Sequence, residues 1–162
     1  ILLRKKNELA YAIKKSCLIK MHFVNQDVNE KGLRMILNFG HTFAHAIEAK
    51  NNYSKKMTHG EAVLSWIILA TRLSVIKKIC KFKTLQEIEK IYLDNNLGYT
   101  YKKFSNVRSI TNLIPYLKND KKNNDDKINF IFLRSIGKTT RPGKFKISVG
   151  NLKKISKFIA QF

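Results

Sequence analysis

Cysteine is scarce in this chain of 162 residues, which contains only Cys17 and Cys80. The two lie far apart in separate apolar segments. Neither has a second cysteine at the short spacing of a zinc knuckle or a redox pair, so both kinds of site are excluded. We expect both cysteines to be reduced core residues of a cytoplasmic protein.

Acidic residues are also few, 11 against 32 lysines and arginines, which gives a formal net charge of +21. Such an excess of cations can bind nucleic acid by neutralising phosphates. Here the basic residues are spread over the whole chain, and no arginine-rich recognition helix or nucleic-acid motif is present. Lys, Asn and Ile, the residues of A- and T-rich codons, are abundant together, so mutational bias explains the charge. We therefore predict no nucleic-acid partner, and keep a basic nucleic-acid-binding helical domain as the non-enzymatic alternative.

Long apolar runs are missing as well. The longest run, residues 62–70, is interrupted by Ser65 and closed by Arg72, and a membrane span needs roughly 20 apolar residues. We interpret this run as a core helix and predict no membrane association. We also expect no signal peptide before the first amphipathic segment. The chain begins with Ile1 and not with Met, from which we expect a fragment or a processed piece.

Helical periodicity dominates the chain, whose length and 44% hydrophobic content suit a single domain over residues 1–162 with a real core. The spacing of apolar residues and the capping residues predict helices over residues 2–21, 33–48, 59–80, 85–94, 109–118 and 151–161. The β-branched and aromatic runs 128–133 and 145–149 predict a hairpin. The predicted fold is therefore mainly α, with a small β-hairpin near the C-terminus.

A stripe of polar residues marks the second predicted helix. Arg34, Asn38, His41, His45 and Glu48 recur at intervals of four, three, four and three residues. If residues 33–48 form one helix, these side chains share one face while apolar residues cover the rest. Burying five such groups without partners would cost on the order of several kcal/mol. The stripe is therefore predicted to face a ligand, a metal or a polar cavity.

A third histidine, His59, follows a short loop. Thr58 and Glu61 have the spacing of a capping box, which predicts that the next helix begins at His59. Two helices joined by so short a loop are antiparallel neighbours, so His59 is expected to approach His41 and His45. The positive end of a helix dipole disfavours imidazolium and keeps His59 neutral. By itself the H-x-x-x-H spacing is a weak metal signal, without the glutamate of a zincin.

Four motifs occur in order along the chain: the pattern K-x-x-x-V-x-x-D-x-x-E-x-G-L-R, LNFGHTFAHAIE, HGEAV, and DKK followed by KINFIFLRSIGK. Together they resemble the C-terminal domain of 3-dehydroquinate synthase. These matches run from Lys20 to about Lys138 in the family's order. Ala44, where the family usually has glycine, and Ser65 and Trp66, where it has small residues, depart from the pattern without removing a proposed ligand.

The resemblance implies roles for individual residues. His41 and His59 correspond to ligands of a catalytic divalent metal, usually zinc or cobalt. The catalytic residues implied by the family are His45, Lys20 and Glu30. The substrate-binding residues implied are Arg34, Asn38 and one of Lys121 and Lys122, between which the spacing does not decide.

The implied reaction converts 3-deoxy-D-arabino-heptulosonate 7-phosphate to 3-dehydroquinate and phosphate, with NAD as a second cofactor. The family's NAD-binding α/β domain and the glutamate that supplies the third metal ligand have no counterpart in this sequence. We therefore expect the chain alone to be inactive and to need an N-terminal domain. A homodimer, common in the family, is a further expectation. The enzymatic alternative is a related sugar-phosphate cyclase such as 2-deoxy-scyllo-inosose synthase.

Overall fold

The computed structural model of the chain describes residues 5–53, 57–97, 110–118 and 127–161. The chain divides into two compact units, Ile1–Leu37 and Asn38–Phe162. Lys121 and Lys122 lie outside the described residues.

The first unit contains a long helix, α1 (Lys6–Gln26), which extends the predicted helix by five residues at its C-terminal end. None of the described residues 6–26 is buried. Leu9, Ile13 and Met21 are exposed on α1, and so is Cys17. The predicted place of Cys17 in a core is therefore wrong, because amphipathic spacing indicates an apolar face but not whether that face is covered.

The predicted continuous helix over residues 33–48 is also wrong. A 3₁₀ helix, Leu33–Asn38, is followed by a turn and then by α2, His41–Lys50. Gly40 separates them, with φ +81° in the left-handed region, which glycine adopts at no steric cost. A Cβ at this position would lie 3.1 Å from Cγ1 of Ile67. The turn at Gly40 is thus packed against the helix that contains Ile67. Because the helix is interrupted at this turn, the five polar residues do not form one continuous stripe.

Among the described residues the remaining helices are α3 (His59–Ile76), α4 (Phe82–Asp94), α5 (Ile114–Lys118) and α6 (Val149–Gln161). α3 begins at His59 behind a complete capping box, as predicted. It ends at Ile76 and not near Cys80, because Lys78 takes a left-handed conformation with φ +56°. By length and composition α3 could cross a membrane, yet more than half of it is buried. Trp66, Leu69 and Leu73 make it a core helix, as predicted.

Four strands form two small antiparallel sheets among the described residues: β1 (Lys127–Phe130), β2 (Leu133–Ser135), β3 (Lys138–Thr139) and β4 (Phe145–Ser148). β1 pairs with β4, with Ile128 opposite Ile147 and Phe130 opposite Phe145, which confirms the predicted pairing of the two apolar runs. β2 pairs with β3, and the sequence did not predict this second sheet.

A chain of aromatic contacts connects the helices of the second unit to the sheets. Phe43 on α2 stacks on Trp66 of α3, and its ring centroid is 5.5 Å from that of Phe130 on β1. Phe132 continues the series between Phe130 and Phe145. Buried aromatic pairs of this kind contribute both apolar area and a preferred geometry. They fix α2 against α3 and against β1.

A buried arginine links three helices at the other side of α3. Arg72 donates hydrogen bonds to Glu89 of α4, at 2.8 Å, and to the carbonyl of Ile159 in α6, at 3.2 Å. Burial lowers the pKa of Arg72, against the opposing effect of Glu89. A buried charge requires such a partner, so this pair orients α4 and α6 on α3.

Candidate functional site

Three imidazoles come together where α2 and α3 begin. His41 is the first residue of α2, His45 lies one turn later, and His59 is the first residue of α3. The ring centroid of His41 is 5.7 Å from that of His45 and 5.3 Å from that of His59, and the third pair is 6.1 Å apart. The structure thus brings together the three histidines whose spacing predicted convergence.

Local hydrogen bonds fix the start of α3. The Thr58 hydroxyl accepts from the backbone N–H of Glu61, and the Thr58 N–H donates to Glu61 Oε2 at 2.7 Å. These reciprocal bonds satisfy donors that a helix start leaves unpaired. They hold the backbone of His59, and the Phe43–Trp66 stack sets its helix against α2.

Two of the histidines have Nδ1 held by an oxygen acceptor. His41 Nδ1 lies 3.3 Å from the carbonyl oxygen of Phe39, and His59 Nδ1 lies 3.0 Å from Oε1 of Glu48. A carbonyl and an ionised carboxylate only accept, so a neutral ring in either position would donate from Nδ1 and keep its lone pair on Nε2. Metal-ligating histidines are held in this way by carbonyls or carboxylates.

The distance between the two rings also fits a shared ion. Two imidazoles that bind one tetrahedral ion through nitrogen have ring centroids about 5 Å apart, given metal–nitrogen bonds of about 2.0–2.1 Å. The centroids of His41 and His59 are 5.3 Å apart. Imidazole nitrogen is a ligand that zinc and cobalt accept, so these residues fit two positions of a zinc or cobalt site.

Electrostatics favour the neutral, ligating form of His41. Burial lowers its pKa below the usual value of 6.5, and nearby His45 and His59 act in the same direction. The Phe39 carbonyl and Glu48 oppose that shift. Neutral imidazole is the form that binds metals.

Among the described residues, no group of three or more His, Cys, Asp or Glu side chains could hold a metal ion. His41 and His59 alone leave a catalytic zinc one protein ligand short of the usual three. The roles of both histidines as ligands stay predictions.

Glu30 and Arg34 meet in the first unit, in the turn after α1. Arg34 donates to the carbonyl of Val28 at 2.7 Å, and its guanidinium lies 3.9 Å from Oε2 of Glu30. Asp27 organises this turn by accepting from the backbone N–H groups of Lys31, Gly32 and Arg34 at 2.8–3.1 Å. Those bonds, the one from Lys31 first, lower the pKa of Asp27.

The other predicted residues belong to both units. Lys20 is exposed on α1 of the first unit, and Asn38, half-buried, ends the 3₁₀ helix. Lys20, Glu30 and Arg34 belong to the first unit, and Asn38 and the histidines to the second. That all of them line one cavity stays a prediction, as do the roles of Lys121 and Lys122.

No individual role was predicted for Glu48 or Asp27. The sequence did indicate that Glu48 could belong to the site, because it lies three residues after His45 in the set of regularly spaced polar residues. The indication for Asp27 was weaker, because its three bonds to following N–H groups are a local turn pattern of aspartate that helical periodicity does not show.

A family model described as 3-dehydroquinate synthase C-terminal matches residues 1–123. The 3-dehydroquinate synthase of Pelagibacter ubique is 42% identical over 141 residues, which cover 87% of this chain and 38% of that protein. The 3-dehydroquinate synthase of Dictyoglomus turgidum is 40% identical over 138 residues, which cover 85% of this chain and 37% of that protein. The chain therefore spans a little over a third of the length of these relatives.

A crystal structure of 2-deoxy-scyllo-inosose synthase complexed with carbaglucose-6-phosphate, NAD+ and Co2+ is similar in fold. It matches with a TM-score of 0.75 and 21% identity, over 94% of this chain and 41% of that chain. A second crystal structure of 2-deoxy-scyllo-inosose synthase matches with a TM-score of 0.65 and 20% identity, over 86% of this chain and 36% of that chain. At these identities the likeness establishes the mainly helical fold.

Proposed function

The chain belongs to the 3-dehydroquinate synthase C-terminal family, and from that premise we propose that it supplies the metal- and substrate-binding part of a 3-dehydroquinate synthase. The complete enzyme would convert 3-deoxy-D-arabino-heptulosonate 7-phosphate to 3-dehydroquinate and phosphate, the second step of the shikimate route to aromatic amino acids. The observation that carries this proposal is the pair His41 and His59, whose rings lie side by side and each have Nδ1 within hydrogen-bond distance of an oxygen.

We assign the divalent metal, zinc or cobalt, to Nε2 of His41 and His59, with a further ligand from the part of the enzyme that precedes this chain in its relatives. When bound, the metal would polarise a substrate hydroxyl and NAD would accept and return a hydride. Histidine nitrogens suit either metal. The hydrogen bonds to Phe39 and Glu48 orient both rings before an ion arrives.

Proton transfer is the role proposed for His45. Its ring centroid lies 5.7 Å from that of His41 and 6.1 Å from that of His59, so it stands beside the proposed ligands. Histidine is the side chain whose ordinary pKa suits proton exchange near neutral pH.

The substrate carries a phosphate and a carboxylate, which require cationic partners. We assign this binding to Arg34, Asn38 and one of Lys121 and Lys122. Lys20 and Glu30 are proposed catalytic residues, and the bonds of Asp27 and Val28 hold Glu30 and Arg34 in their turn. In the complete enzyme these groups would surround one sugar-phosphate substrate.

The NAD-binding residues are proposed to lie in an N-terminal domain, which would occupy much of the remaining length of the relatives. The complete enzyme is proposed to be soluble, cytoplasmic and a homodimer.

The test joins this chain to the N-terminal part of the Pelagibacter ubique relative, which is 42% identical over the matched region. Phosphate release from 3-deoxy-D-arabino-heptulosonate 7-phosphate is measured with NAD and zinc or cobalt. The joined protein should turn over and the chain alone should not. His41→Ala and His59→Ala in the joined protein should abolish activity.

Two outcomes would count against the proposal. Turnover by the chain alone at a comparable rate would overturn the need for both parts. A joined protein that folds and binds NAD but releases no phosphate would contradict the proposed reaction.

A further inference from the structure

We propose that Glu48 is a positioning residue, which fixes the tautomer and the orientation of His59 so that Nε2 is the nitrogen offered to a metal. The inference rests on the proposed function for its consequence, the metal affinity. Its structural premise, the hydrogen bond between Glu48 and His59, stands independently.

The geometry of the pair supports this role. Glu48 Oε1 lies 3.0 Å from His59 Nδ1, and the Glu48 side chain is only 16% exposed, against 53% for His59. A partly buried acceptor is less screened by water and salt than a surface ion pair. Because free histidine side chains favour the proton on Nε2, the carboxylate reverses the intrinsic preference of the ring.

The position of Glu48 in its helix is unfavourable unless it has a compensating partner. It lies in the last turn of α2, His41–Lys50, where the negative end of the helix dipole disfavours a carboxylate. Glu48 is also partly buried there, which adds a desolvation cost. The side-chain Nδ1–H of His59 supplies a compensating hydrogen bond. Locally unfavourable placements of a charged residue occur most often at functional sites.

Both proposed ligands are held by a hydrogen bond at Nδ1, but the acceptor groups differ. His41 uses the backbone carbonyl of Phe39, which no side-chain substitution removes, whereas His59 depends on the side chain of Glu48. We therefore expect metal affinity to be most sensitive to substitution of Glu48, the side chain that holds His59.

A tether between two helix ends is the rival explanation. Glu48 lies in the last turn of α2 and His59 is the first residue of α3. Their hydrogen bond therefore also joins the two helices. A tether would affect the free energy of unfolding, but it would not act on metal binding specifically through His59. The His59 tautomer and the metal affinity, compared with the free energy of unfolding, separate the two explanations.

The experiment titrates Co2+ alone into the chain and follows absorption. Glu48→Ala should weaken binding about 10–100-fold, the usual effect of losing such a partner. Glu48→Gln, whose amide oxygen still accepts, should lose less. In a His59→Ala background, Glu48→Ala should change the dissociation constant by less than about 2-fold. The matched control is Glu87→Ala, at an exposed glutamate of α4, which should leave binding unchanged.

The tautomer is measured separately in the metal-free chain by long-range ¹H–¹⁵N spectra of the imidazoles. The His59 proton should be on Nδ1 in the unsubstituted chain and in Glu87→Ala, and should move largely to Nε2 in Glu48→Ala. An unchanged tautomer and an unchanged cobalt affinity in Glu48→Ala would overturn the positioning role. A protein that binds no cobalt even when the chain is joined to the N-terminal part would contradict the proposed metal site instead, and the tautomer measurement would still decide the role of Glu48.

Discussion

The rings of Phe43 and Trp66 stack with centroids 4.6 Å apart and planes 15° apart. Phe43 lies between His41 and His45 on α2, and Trp66 lies two turns after His59 on α3. Both side chains are fully buried. The stack therefore sets the separation of the two helices that carry the histidines, and the core determines the geometry of the site.

Phe43→Ala should lower the free energy of unfolding by about 3–5 kcal/mol, because it removes a buried ring and leaves a cavity beside Trp66. Urea denaturation measures this change. The matched control is Phe158→Ala on α6, where the ring is 57% exposed and its loss should cost much less. Equal effects of the two substitutions would contradict the central role of the Phe43–Trp66 stack.

Gly40→Ala should lower the free energy of unfolding by about 1–3 kcal/mol. The left-handed conformation at φ +81° is costly for alanine, and its Cβ would press against Ile67 at 3.1 Å. The control is Gly60→Ala in the first turn of α3, where a Cβ meets no atom within 4 Å among the described residues. That variant should be neutral or more stable by about 0.5 kcal/mol. A neutral Gly40→Ala would show that this turn is not under steric constraint.

Features set by local chemistry were predictable from the sequence. The capping box of Thr58 and Glu61 involves residues three apart, so it can be recognised from four consecutive residues of the sequence. The β1–β4 pairing followed from two β-branched and aromatic runs, in which Ile128 and Ile147 prove to lie opposite each other. The convergence of His41 and His59 followed from helical spacing and a short loop.

Features set by tertiary contact were not predictable. The break at Gly40 depends on its packing against Ile67, and periodicity alone continued the helix through it. The β2–β3 sheet has strands of three and two residues with an irregular register, too short for an alternating pattern. The partner of His41 is the backbone carbonyl of Phe39, which leaves no side-chain signal in a sequence.

The capping box should make stability depend on acid pH. Hydrogen bonds from the Thr58 N–H and hydroxyl lower the pKa of Glu61 below its usual 4.5. A carboxyl whose pKa is lower in the folded state stabilises the fold when ionised. That contribution is fully present above pH 4.5 and is lost as the pH falls through the lower, folded-state value.

Glu61→Gln and Thr58→Ala should therefore each reduce the loss of unfolding free energy on acidification, measured by urea denaturation at several pH values. Thr58→Ala removes the hydroxyl bond but keeps the backbone N–H bond to Glu61, so its effect should be smaller than that of Glu61→Gln. The double variant should match Glu61→Gln, because the carboxyl group that titrates is then absent. A double variant with the summed effect of both would mean that Glu61 titrates independently of Thr58.

Asp27→Ala should reduce the local stability of the backbone segment that contains Glu30 and Arg34. Asp27 accepts from three backbone N–H groups, those of Lys31, Gly32 and Arg34, and these amides should exchange hydrogen slowly in the unsubstituted chain. In Asp27→Ala all three should exchange faster, as native-state hydrogen exchange measures directly. Because the pKa of Asp27 is lowered, the protection should persist below the usual pKa and disappear only on further acidification.

Val28→Ala provides the control for this turn. Its side chain is 68% exposed, and the Val28 carbonyl that accepts from Arg34 is retained in the variant. Exchange at Lys31, Gly32 and Arg34 should therefore be unchanged. If Asp27→Ala also left these amides protected, other contacts would have to order the turn, and the arrangement of Glu30 and Arg34 would not depend on the carboxylate.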